Sequence, residues 1–119
     1  MMSKETLSPA VSAWRPLCRR QDLVPNSGVV ALDGEDQVAL FYLPEFDGPT
    51  LYAIDNHDPR SGANVIGRGI VGCLDGELFA ASPLYKQQFR LSDGACLQDP
   101  GLHLRTWRVR FNADRVEIA

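Results

Sequence analysis

The chain has 119 residues, a length that fits one domain around a single modest core. Its hydrophobic fraction of 45% and charged fraction of 23% are those of an ordinary globular protein. A net charge of -3, with cations scattered and no basic run beyond Arg19-Arg20, argues against a nucleic-acid partner.

The start, Met1-Met2-Ser3-Lys4-Glu5-Thr6-Leu7-Ser8-Pro9, lacks the apolar core of a signal peptide. We read residues 1–10 as a flexible polar tail and 11–119 as one domain. The apolar stretches are strand-length, far short of the roughly 20 residues a spanning helix needs. No membrane partner is expected, and the default location is cytoplasmic.

Asp-Gly pairs at Asp33-Gly34, Asp47-Gly48, Asp75-Gly76 and Asp93-Gly94 punctuate the chain. Each supplies the positive φ that tight hairpin turns demand. The first predicts a hairpin joining 28–32 to 37–43. Pro44 and Pro49 flank the next turn, and 50–54 forms a strand feeding a loop around Asp58. Residues 70–73 and 77–81 pair around Asp75-Gly76 and feed a second loop at Ser82. A single helical turn fits 61–66, and Phe89-Arg90-Leu91 leads into a turn. In Thr106-Trp107-Arg108-Val109-Arg110-Phe111, apolar and basic residues alternate, the period of two that marks a half-buried strand. Asn112-Ala113-Asp114 then turns the chain into a last alternating strand over 115–118. The expected fold is all-β, in antiparallel sheets, with functional loops at one end.

Several chemistries are excluded by pattern. Cys18, Cys73 and Cys96 are widely spaced and odd in number, so they read as small buried hydrophobes in strands rather than a disulfide framework or zinc site. His57, Asp58 and Ser82 hold triad ingredients, but Ser82 precedes Pro83 and lacks a nucleophile-elbow glycine pattern. His57 and His103 are expected in loops. Gly62, Gly67 and Gly69 do not give the spacing of a phosphate-binding loop. Trp14 and Trp107 read as core packing, with stacking platforms as the alternative.

Two loop motifs carry a resemblance. The first is Ile54-Asp55-Asn56-His57-Asp58-Pro59-Arg60-Ser61-Gly62-Ala63-Asn64-Val65-Ile66-Gly67-Arg68-Gly69. The second is Ala81-Ser82-Pro83-Leu84-Tyr85-Lys86-Gln87, followed by Gly94-Ala95-Cys96-Leu97-Gln98-Asp99-Pro100. They closely resemble the small subunits of assimilatory NAD(P)H-dependent nitrite reductases, a branch of the Rieske superfamily, over about 14–118. Gly67 departs from the expected pattern, standing where a Ser would precede the Arg-Gly pair.

The resemblance implies a Rieske-like antiparallel β-sandwich of small sheets with two protruding cluster-type loops. A Rieske centre takes Cys-x-His from one loop and Cys-x-x-His from the other. On that pattern the Cys positions fall on Asp58 and Ser82, and the His positions on Arg60 and Tyr85. All four ligands are lost, and so is the loop disulfide, whose halves would fall on Ala63 and Leu84. The chain is therefore expected to bind no iron–sulfur cluster and no other metal, and to hold no catalytic or cofactor-binding residue. Tyr85 is expected to fill the vacated volume, with Asp58, Arg60 and Ser82 forming a polar bridge around it. The alternative leaves Asp58 and Arg60 as solvated loop charges.

The function implied is that of a non-catalytic small subunit, docking on a large subunit that carries FAD, an iron–sulfur cluster and sirohaem. That large subunit would reduce nitrite to ammonia with NADH or NADPH. Asn56, Arg68 and Lys86, with Asp58, Arg60 and Tyr85, are the candidate docking residues; solvated surface charge is the other reading of Arg68 and Lys86. A free-standing cluster-less binding or regulatory module is the alternative function.

Overall fold

The computed structural model describes residues 14–119, and the expected tail over 1–10 lies outside the described residues. Ten short strands form among them: β1 (Arg15–Arg19), β2 (Ser27–Asp33), β3 (Asp36–Tyr42), β4 (Leu51–Asp55), β5 (Ile70–Leu74), β6 (Glu77–Ala81), β7 (Gln88–Arg90), β8 (Thr106–Trp107), β9 (Val109–Asn112) and β10 (Arg115–Ile118). They build a four-stranded sheet in the order β2-β3-β4-β8 and two three-stranded sheets, β5-β6-β7 and β1-β10-β9. Every pairing is antiparallel.

β3 explains the layering. Its run Val38-Ala39-Leu40-Phe41 is inaccessible to solvent throughout, although side chains alternate between faces. Ala39 and Phe41 join a cluster with Leu43, Ile54, Ile66, Ala80, Phe89, Leu91, Cys96 and Leu104. Val38 and Leu40 join another with Leu23, Leu51, Ala53, Trp107, Val116 and Ile118. The four-stranded sheet therefore has a core on each face, contributed on one side by the β5-β6-β7 region and on the other by β10.

The Asp-Gly turns behave unequally. At Asp75-Gly76 both residues have positive φ, 52° and 82°, and the pair forms the two-residue loop between Leu74 and Glu77. In the first hairpin Asp33 pairs with Asp36, so Gly34 and Glu35 make the turn and Asp33 stays in the strand. At Asp47-Gly48 and Asp93-Gly94 the glycine alone has positive φ.

Three expectations change. The predicted strand over 106–111 is broken at Arg108, where the chain leaves the four-stranded sheet and pairs with Ala119 through reciprocal backbone hydrogen bonds of 3.1 and 3.0 Å. Helical geometry appears at Ile66–Arg68 and Arg20–Asp22, not over 61–66. Only Cys96 is buried; Cys18 is intermediate and Cys73 exposed, because β5 lies at the edge of its sheet.

Candidate functional site

The first loop leaves β4 and the second leaves β6, so the two sheets bring them side by side. Asn56 anchors the base of the first. Its side-chain oxygen accepts from Gly67 N–H at 2.6 Å and its amide donates to Gln37 Oε1 at 2.9 Å. Its backbone carbonyl accepts from Ile66 N–H at 3.1 Å. Asn56 is buried, which corrects its candidacy as a docking residue: its polar groups are spent on holding the loop to β3.

Asp58 forms the centre of the site. It is inaccessible to solvent, and Ser82, from the second loop, is buried beside it. Ser82 Oγ donates to Asp58 Oδ2 at 2.6 Å, and Arg60 N–H donates to Asp58 Oδ1 at 2.9 Å. The backbone closes round both residues, with Asp58 N–H to Ala63 O and Gly62 N–H to Asp58 O at 2.8 Å each. In the second loop Ser82 N–H donates to Gln87 O at 2.9 Å and Lys86 N–H to Ser82 O at 3.0 Å. Burial pushes the Asp58 carboxyl pKa up, but hydrogen bonds from Ser82, the Arg60 backbone and Ser61 outweigh it and hold the group below its ordinary value.

Tyr85 does not fill the vacated volume: 56% of it is exposed. The buried Asp58–Ser82 pair, joined by a hydrogen bond of 2.6 Å, lies between the loops instead. Arg60 makes no fork with Asp58. Its guanidinium carbon lies 5.2 Å from the centroid of the Tyr85 ring, an interaction at the outer surface.

The pairing has a pattern. In a Rieske centre the two Cys hold one iron and the two His the other. By the resemblance, Asp58 and Ser82 stand at the Cys positions and Arg60 and Tyr85 at the His positions. Each iron's pair of ligand positions is thus joined here by a side-chain contact, buried in one case and exposed in the other.

These residues do not fit a cluster. A carboxylate already saturated by hydrogen bonds replaces one thiolate, a hydroxyl replaces the other, and a guanidinium cannot lose its proton to bind iron. Among the described residues no group of three or more His, Cys, Asp and Glu could hold a metal ion, and no helix is long and apolar enough to cross a membrane.

At the surface of the tip Arg60, Arg68 and Lys86 are exposed, with no carboxylate partner among the described residues. Lys86 has a φ of 66°, a left-handed backbone that few non-glycine residues adopt. Ile70, 72% exposed and paired with Ala81 at the foot of the second loop, and Leu84, 53% exposed within that loop, are further exposed apolar residues that the sequence reading missed as docking candidates. Apolar residues flanking a loop motif are the signal that could have found them. His57 is exposed and its Nδ1 lies 3.1 Å from Asn64 Oδ1 across the first loop.

The family model described as a Rieske-like [2Fe-2S] domain matches residues 13–119. The chain is 38% identical over 108 residues to the nitrite reductase (NADH) small subunit of Escherichia coli K12, covering 91% of this chain and 98% of that one. The solution structure of a nitrite reductase [NAD(P)H] small subunit from Erwinia carotovora superposes with a TM-score of 0.74 at 39% identity, covering 90% of this chain and 81% of that one. A nitrite reductase [NAD(P)H] large subunit from Klebsiella oxytoca is 38% identical over 105 residues, which are 88% of this chain and 11% of that protein.

Proposed function

The chain belongs to the Rieske-like [2Fe-2S] domain family and, within it, to the small subunits of NAD(P)H-dependent nitrite reductase, and from that premise we propose that it is a non-catalytic subunit docking on the large subunit through its loop tip. The observation carrying this reading is the similarity to a nitrite reductase small subunit along 98% of that protein. The large subunit is the redox partner, with FAD, an iron–sulfur cluster and sirohaem, reducing nitrite to ammonia at the expense of NADH or NADPH, and the complex works in the cytoplasm. This chain supports assembly, stability or the electron path, with its own loops cross-linked by side chains.

The tip supplies the contact. Ile70, Leu84 and Tyr85 provide exposed apolar area, and Arg60, Arg68 and Lys86 surround it with positive charge on a chain whose net charge is -3. The one acid of the two loops, Asp58, is buried. Such a surface steers an acidic partner and fixes its orientation. The test is co-purification of the full chain with the large subunit, comparing wild type with Arg68→Glu/Lys86→Glu. The double variant is expected to lose at least tenfold of the retained large subunit, and retention by the wild type is expected to weaken with added salt. Undiminished retention by the double variant would remove the tip from the interface. Stoichiometric iron and sulfide in the purified chain would replace the subunit reading with an electron carrier.

A further inference from the structure

A second surface lies away from the loop tip. A groove of about 710 Å³ runs between the four-stranded sheet and the β1-β10-β9 sheet, with Leu51, Tyr52, Leu91 and Val109 among its apolar walls and Trp14 and Trp107 at its sides. It exists because β8 is only two residues long. β8 pairs with Ala53 and Ile54 of β4, and the chain then leaves at Arg108, so Leu51 and Tyr52 have no ladder partner on that side. An unpaired strand edge beside an apolar trough is the setting in which an extended segment adds to a sheet.

Charge and connectivity say what covers it. Arg108 lines the groove, is exposed, and forms no ion pair among the described residues; its guanidinium carbon lies 5.0 Å from the Trp14 ring centroid. The neighbouring Arg110 is already neutralised by Glu117 at 2.8 Å. Arg108 is thus a cation on an apolar trough with no ion-pair partner among the described residues. Trp14 and Ala119, the first and last described residues, both line the groove. In the Klebsiella oxytoca large subunit the region matching this chain is 11% of the protein, so at least one end of that region continues into the remainder. A large-subunit polypeptide continuing from the Ala119 end of such a domain would start beside this groove.

We propose that the groove is a second contact surface for the large subunit, taking an extended segment that lays apolar side chains against Leu51, Tyr52 and Val109 and pairs a carboxylate with Arg108. This rests on the docking function proposed above and adds the partner's chemistry.

The experiment uses the full chain co-expressed with the large subunit. Ser92→Trp places bulk in the groove from an exposed position, and Arg108→Glu reverses its charge. Each is expected to lower retained large subunit at least tenfold while the variant stays folded by circular dichroism and thermal melting. A photo-cross-linking side chain at Pro49, exposed on the groove wall, is expected to capture a large-subunit peptide. If wild type retains the large subunit and both groove variants retain it equally, the groove proposal is overturned and the docking function stands. A cross-link confined to residues 1–13 of this chain, or to a second copy, overturns it as well. Failure of the wild type to retain the large subunit removes both readings together.

Discussion

Asp58 and Ser82 show how a bridge of two light side chains replaces a metal-dependent one. The bond between them joins a hydroxyl to a buried carboxylate, and bonds to charged groups contribute about 1.5–3 kcal/mol. Ser82→Ala is therefore expected to lower stability in urea denaturation by about that amount. A loss under about 0.5 kcal/mol would show the loops are held by other contacts. The carboxyl pKa is depressed in the folded chain, so its stabilisation is complete above the ordinary carboxylate range and is lost as pH falls through the folded value. Asp58→Asn is expected to flatten the acid limb of the stability curve below about pH 4, and an unchanged limb would locate the acid sensitivity elsewhere. Tyr85→Ala, by contrast, removes an exposed ring and one contact with Arg60, and is expected to cost less than about 1 kcal/mol. Sequence pattern aligned these four positions but could not tell which pair lies inward. Burial depends on how the sheets set the loops together, and here it is Asp58 and Ser82 that lie inward while Tyr85 stays exposed.

Elements defined by local chemistry were legible, and those defined by distant partners were not. Hairpins at Gly34 and at Asp75-Gly76 follow from turn residues between apolar runs. β1 has no such signal: Arg15-Pro16-Leu17-Cys18-Arg19 becomes a strand because β10, from the other end of the chain, pairs with it. The break at Arg108 is equally invisible to alternation, since a strand that changes sheets keeps its period of two. Gly67 illustrates a departure that packing explains. A Cβ there would stand 2.7 Å from Val30 Cγ2 and 3.2 Å from Asn56 Oδ1. Gly67→Ser should destabilise by about 1–3 kcal/mol through overpacking, and combining it with Val30→Ala should recover part of that loss in a double-mutant cycle. Strict additivity would deny the coupling. Gly94 leaves no such remedy: its φ is 80° and a Cβ would lie 2.0 Å from the Leu104 carbonyl oxygen, so Gly94→Ala is expected to cost more than about 2 kcal/mol in thermal or urea unfolding.

At the scale of the whole molecule, two faces are proposed for one partner: a basic tip with apolar side chains, and an apolar groove with Arg108. Raising ionic strength should weaken the contact of the tip more than that of the groove, where apolar burial dominates. Added salt should therefore weaken retention by Ser92→Trp as it does by the wild type, but should not weaken that by Arg68→Glu/Lys86→Glu, whose new carboxylates repel an acidic partner; equal slopes would mean the faces do not act separately. The layering read from β3 carries a further consequence for how the domain melts. Val38 and Leu40 serve one hydrophobic cluster, Ala39 and Phe41 the other, along a single stretch of backbone. Loosening either cluster would strip one side of that stretch and weaken its hold on the other. The domain should then come apart in one step, with coincident fluorescence and circular-dichroism transitions, and the amides of Val38 to Phe41 should be among the slowest to exchange with deuterium.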